Sequence, residues 1–176
     1  FLLLAILTVY KGVQVVPQRQ VFLVERFGKY QRTLQAGLNL VIPFLDKVAF
    51  KEDILERQLD QQIISVITQD NVEIKLKTII FLRIVDASKA FYRIRNYSSA
   101  IENAATSIVR STGGELQLDE IQTSREKLNE TIKSELAKAA EIWGIEITRT
   151  EIVDVVVDES TRKAQRKQLD AERDKR

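Results

Sequence analysis

The chain has 176 residues, of which 44% are hydrophobic and 30% charged, with a net charge of only +2. That is apolar material for one large domain or two small ones, and too little net charge for the basic field with which nucleic-acid binders gather phosphates, so no nucleic-acid partner is expected. Cysteine and histidine are absent, which removes disulfides, zinc fingers, Cys or His nucleophiles, Ser-His-Asp triads and imidazole metal ligands; only carboxylate or lysine chemistry stays open, and spacing alone does not reveal a convergent site for it.

The first ten residues carry no charge, and Lys11 follows them. At about 1.5 Å rise per residue such a run covers roughly half a hydrocarbon core. A secretory signal places its basic residues in front of the apolar run, whereas here Lys11 and Arg19 come after it. Phe1, Leu2, Leu3, Leu4, Ala5, Ile6, Leu7, Val9 and Tyr10 therefore read as the last turns of a membrane helix that begins upstream, residues 1–11 in all. A buried N-terminal strand or helix of a soluble domain is the alternative. Lys11, Arg19, Arg26 and Lys29 lie within roughly 20 residues of this segment, which favours a cytoplasmic placement of the flank.

From Val13 to about Val85 the pattern is that of short strands, with turn residues at Gly28, Gly37, Asp46 and Asp70-Asn71. In "VEIKLKTIIFLRIV", Val72, Ile74, Leu76 and Ile80 alternate with Glu73, Lys75 and Lys77, one set inward and one outward. Past Thr78 both faces become apolar, so the second half of this strand is expected to be covered on both sides. The preceding "QQIISVITQDN" supplies an antiparallel partner and a tight turn at Asp70-Asn71. The stretch "LNLVIPFLDK" has two readings. It is a core strand, or Leu38, Leu40, Val41, Ile42, Pro43, Phe44 and Leu45 form an apolar loop that dips into a membrane interface.

After Asp86 the period changes to about 3.6. Ser99 and Glu102 have capping-box spacing ahead of a stripe of Ile101, Ala104, Ala105, Ile108 and Val109, and Gly113-Gly114 predict a left-handed stop. A second helix is expected from Thr123, with Glu126 as box partner, through Leu128, Ile132, Leu136 and Ala139 to Gly144, with Trp143 plugging the core. "IEITRTEIVDVVV" is again a strand. From Asp158 onward there is no Gly or Pro, and seven basic residues stand against five acidic ones. This predicts a solvated helix, residues 158–176, that continues beyond Arg176 and needs neighbours to be stable. Arg162, Arg166, Lys167, Asp170, Glu172 and Asp174 are its candidate contacts between subunits.

Three patterns invite sharper readings. "STGG" at 111–114 lacks the Gly-Lys-Ser/Thr end of a phosphate loop and follows a helix instead of a strand. Nothing sets Ser111 apart as a nucleophile for Lys127 or Lys133. Asp119 and Glu120 are explained by the helix dipole, which favours anions at a helix start. No catalytic, cofactor-binding or metal-binding residue is nominated, and no enzyme activity is expected.

Taken together, "VERFGKYQRTLQAGLNLVIPFLDKV", "ITQDNVEIKL", "IVDASKAFYRIRNY", "RSTGGELQLDEI", "WGIEITRTEI" and "AERDKR" resemble the stomatin, prohibitin and flotillin (SPFH, band 7) superfamily, most of all its bacterial stomatin or paraslipin branch, from about Val16 to Arg176. The resemblance implies an α+β domain behind an N-terminal membrane segment: a β-rich first subdomain (12–95), an α/β second subdomain (96–157), and a long coiled-coil-like helix. It also implies large homo-oligomeric rings or cages that fence a membrane patch and sequester membrane proteins and their proteases, with lipids as further partners. The expected location is the bacterial inner membrane, domain on the cytoplasmic face, with a mitochondrial membrane as the alternative. A small lipid- or sterol-binding module is the alternative function. Two departures stand out: "DVVVDEST" replaces the Pro-Pro pair common in relatives, permitting an unbroken strand there, and the methionines usual at the start of the long helix are missing.

Overall fold

A computed structural model describes residues 9–157 together with Lys163. In chain order its elements are β1 (Val13–Val16), β2 (Gln20–Arg26), β3 (Lys29–Leu34), β4 (Gly37–Leu40), β5 (Asp46–Asp53), β6 (Arg57–Gln58), β7 (Gln62–Ile67), β8 (Glu73–Ile84), α1 (Ala87–Tyr92), α2 (Tyr97–Gly114), α3 (Leu118–Thr123), α4 (Arg125–Glu141) and β9 (Ile145–Val157). They form two units built from interleaved segments. The first takes the chain up to Arg57, Arg83–Tyr97 and Glu141–Glu146; the second takes Gln58–Leu82, Ser98–Ala140 and the chain from Ile147. A reading in chain order expects consecutive subdomains at 12–95 and 96–157, whereas the units exchange segments because β8, α2, α4 and β9 each run from one into the other.

In the first unit β1 pairs antiparallel with β4, and a separate antiparallel sheet has the order β3-β2-β5. Val16, Phe22, Val24 and Leu34 form its core, with Val41 and Val48 packed against them. The β2–β3 connection is a two-residue turn in which both Phe27 (φ 50°) and Gly28 (φ 78°) are left-handed, the geometry that matches strand twist. Asp46 is the first residue of β5, directly after a turn at 43–45. α1 is six residues long, too short for periodicity to reveal. It starts where the Asp86 carboxylate accepts hydrogen bonds from Ser88 Oγ (2.6 Å) and Lys89 N (3.3 Å).

The second unit has a sheet of order β6-β8-β7, with β9 also paired to β8. β7 and β8 form the expected antiparallel hairpin, with Ile64 opposite Leu76 and Val66 opposite Ile74, and Asn71 takes φ 61° in its turn. The Asp70 carboxylate accepts from Thr68 Oγ1 (2.6 Å) and from Leu118 N (3.2 Å), tying that turn to α3. Ile101, Ala105 and Val109 of α2 and Leu128, Ile132 and Leu136 of α4 are buried. β9 continues unbroken to Val157, and Asn129 of α4 holds it by accepting from Ile152 N (3.0 Å) and Thr150 Oγ1 (2.8 Å). Past Thr78, Ile79 and Phe81 are only half-buried, with the Arg149 guanidinium 3.9 Å from the Phe81 ring centre.

Several helix boundaries differ from the sequence expectation. α2 begins at Tyr97, so Ser99 lies inside it. Gly113 and Gly114 are helical, and the buried Gly113 is there for closeness: a Cβ on it would come within 2.9 Å of Val66 Cγ1. Thr123 closes α3, its hydroxyl donating to Asp119 O (2.7 Å), and α4 starts at Arg125, so Thr123 and Glu126 form no box. The box present joins Gln117 and Glu120, whose carboxylate accepts from Gln117 N (2.9 Å). Ala140, not Ala139, is the buried alanine of α4, and Trp143 is half-buried instead of plugging the core. Gly144 has φ 66°, the left-handed stop expected there.

Candidate membrane-facing site

Three pieces of chain meet at one end of the first unit. Residues 9–12 are helical and lead into β1. Gly12 is pressed against the 41–45 loop: its carbonyl accepts from Val41 N (2.7 Å), and a Cβ on it would lie 2.5 Å from Val41 O. The β2–β3 turn emerges beside that loop, because Arg26 stands opposite Lys29 on one side and opposite Asp46 on the other.

The ribbon of β1 and β4 has one face on the core and one outward. Val15 is opposite Leu38 and Val13 opposite Leu40, and Val15, Leu38 and Leu40 are exposed, Leu38 to 74%. Beyond β4, Ile42, Phe44 and Leu45 are exposed, Phe44 to 89% with φ 70°, while Val41 and Pro43 are half-buried. The core-strand reading of "LNLVIPFLDK" is therefore overturned: Val41 packs on the core, while Leu38, Leu40, Ile42, Phe44 and Leu45 face outward. The cause is register, since Leu38 and Leu40 share the face opposite to that of Val16.

Asp46 fixes the loop. Its side chain is 1% exposed and accepts from Arg26 Nε (2.7 Å) and Nη2 (3.3 Å) and from Ile42 N (2.8 Å), while its own N–H donates to Ile42 O (2.9 Å). These partners, the Arg26 guanidinium first, hold the Asp46 carboxyl below its ordinary value, and Asp46 in turn raises Arg26. Arg32 Nη2 donates to Leu40 O at the ribbon edge.

Of the residues nominated for a membrane segment, Val9 and Tyr10 are exposed; Phe1, Leu2, Leu3, Leu4, Ala5, Ile6 and Leu7 lie outside the described residues, as do Arg162, Arg166, Lys167, Asp170, Glu172 and Asp174. Among the described residues no helix is long and apolar enough to cross a membrane, and no group of three or more His, Cys, Asp or Glu is placed to hold a metal ion. Sequence reasoning missed Phe27, 81% exposed at the tip of the β2–β3 turn. The signal was its position before Gly28, where Asn, Asp or Gly is usual. In the second unit a cavity of about 240 Å³ is lined by Thr112, Glu115, Leu116, Glu120, Lys127 and Leu128 among others, a mixed lining of charged and apolar side chains.

Residues 14–176 match the family model described as SPFH domain / Band 7 family. The chain is 36% identical over 161 residues to stomatin-like protein 2, mitochondrial, of Homo sapiens, which covers 92% of this chain and 45% of the relative. It is 35% identical over 164 residues to stomatin-like protein stl-1 of Caenorhabditis elegans (93% and 51%), and 32% identical over 172 residues to an uncharacterized protein of Mycobacterium tuberculosis (98% and 45%). It thus spans about half the length of the curated relatives it matches. By this match, which takes in β1 to β9, the chain belongs to the SPFH domain / Band 7 family.

Proposed function

We propose that the protein is a membrane-anchored scaffold: the apolar N-terminal run anchors it, the outer face of the β1–β4 ribbon and the 41–45 loop rest in the interface, and copies assemble into rings or cages that enclose a membrane patch and the proteins or proteases within it. Members of the family are generally membrane-associated scaffolds and not enzymes. The observation that carries the reading is the placement of Leu38, Leu40, Ile42 and Phe44, exposed and apolar, at the end where residues 9–12 enter the fold. Buried against neither core nor helix, such side chains gain roughly 25 cal/mol per Å² on leaving water for the acyl boundary. The short path from Tyr10 to Val13 keeps this surface near the headgroups, since an extended residue reaches only about 3.3 Å.

The flanking lysines and arginines favour the cytoplasmic face of a bacterial inner membrane. The test uses the natural full-length protein in sealed membrane vesicles. Retention after an alkaline wash, a discrete megadalton-scale particle in detergent, and digestion of the domain in inside-out vesicles only are the expected results. A monomer or dimer in detergent would leave the small lipid-binding module as the function, and digestion from the opposite side would reverse the orientation.

A further inference from the structure

The geometry points to a two-pronged tip for an anionic lipid surface, formed by the Phe27 turn and the Phe44 loop and collared by Lys11 and Lys29. It rests on the membrane-associated reading above and adds to it a second prong and a headgroup class. Phe27 and Phe44 are 81% and 89% exposed, and both have left-handed backbones, φ 50° and 70°. Bulky residues avoid that region because Cβ crowds the following carbonyl, and such conformations persist where the surroundings over-determine them. The surroundings here are the pairings of Arg26 with Lys29 and Asp46, plus the Arg26–Asp46–Ile42 staple, which fixes turn and loop side by side.

Charge selects the occupant. The first 48 residues contain six bases and two acids. Asp46 is paired with Arg26, and Glu25 accepts from the Tyr92 hydroxyl (2.7 Å) and stands opposite Lys47 in the ladder, so the excess of positive charge in this stretch remains. Lys11 and Lys29 remain exposed beside the tips, and neither has an ion pair with a described acid. Apolar tips ringed by uncompensated ammonium groups suit acyl chains beneath a layer of phosphates.

The experiment places the whole chain, with Trp143→Phe to remove its single tryptophan, in vesicles of brominated phosphatidylcholine with or without phosphatidylglycerol. The readout is quenching of Phe27→Trp or Phe44→Trp. Both should be quenched, more strongly with phosphatidylglycerol. Lys29→Glu or high salt should lower the docked fraction, by roughly fivefold per charge removed. In a second variant, Phe27→Asn, which suits the left-handed turn, should weaken quenching at Phe44→Trp because the prongs act together. Quenching at 44 but not at 27, with Phe27→Asn silent, overturns the second prong and leaves the loop contact standing. Equal quenching in neutral and anionic vesicles overturns the headgroup class. Quenching at neither site overturns this inference and the loop contact together.

Discussion

At the residue scale, Asp46 does most to shape the candidate site, because one buried carboxylate accepts from both the Arg26 guanidinium and the Ile42 backbone N–H and so joins the loop to β2. Its pKa is depressed in the fold, so the stability it confers is complete above its ordinary value of 3.8 and is lost only as pH falls through the lower folded value. The staple should therefore survive mild acid and open in strong acid. In hydrogen exchange, the Ile42 amide should keep its protection from neutral pH down to about that ordinary value, while Asp46→Ala should lose about tenfold or more at neutral pH. Unchanged protection in Asp46→Ala would mean that the Arg26–Asp46 pair does not hold the loop. Legibility differed between neighbouring residues. The Leu38–Leu45 run declared itself by density of hydrophobes, although whether it faced the core depended on pairing with β1, which local pattern does not encode. Phe27 is a single aromatic in a turn, has no period, and gains meaning only from its exposure beside Phe44.

At the element scale, Gly144 shows what a helix stop can be asked to do. It ends α4, and its carbonyl accepts from both Val85 N (3.0 Å) and Asp86 N (3.0 Å), while a Cβ there would collide with Asp86 O and lie 2.7 Å from Asp86 Cβ. Gly144→Ala combines a left-handed penalty with a backbone collision and should cost on the order of 3 kcal/mol, read as a drop in urea midpoint at constant slope. A loss below about 0.5 kcal/mol would show that the Val85–Asp86 segment shifts freely. The same motif, Gly after a helix, misleads at Gly113-Gly114, where the residue type serves close packing on Val66 and the backbone stays helical. Long elements were legible: β8 and β9 through alternation, α2 and α4 through stripes in which each fully buried Ile or Leu contributes roughly 1.5–3 kcal/mol. α1 and α3, six residues each, were not, because fewer than two turns give no stripe to read.

At the scale of the whole molecule, the proposed assembly turns on whether the domain or the segment after it sets subunit number. The charged segment from Asp158 has only Ala164, Leu169 and Ala171 as hydrophobes after Glu159, too few for the seam of a two-stranded coil. Pairs at helical spacing within it, such as Arg166 with Asp170, are worth about 0.3–0.5 kcal/mol each, so an isolated helix of this sequence is weak. Beside identical neighbours, a helix of this sequence would pair its mixed charges laterally many times, and its small residues would permit close approach. The domain itself offers modest apolar surface outside the candidate site, such as Ile63 and Ile67 of β7 and Val153 and Val156 of β9. The curated relatives are about twice as long as this chain. Three lengths test this: the chain ending at Val157, the chain ending at Arg176, and the natural full-length protein, each retaining residues 1–12 and each imaged after gentle detergent extraction. Uniform large rings should appear only at full length, with small or heterogeneous species at Val157. Rings of equal size and uniformity from the chain ending at Val157 would transfer the organising role to the domain surfaces, and the lateral charge pairing would then be a consequence of assembly, not its cause.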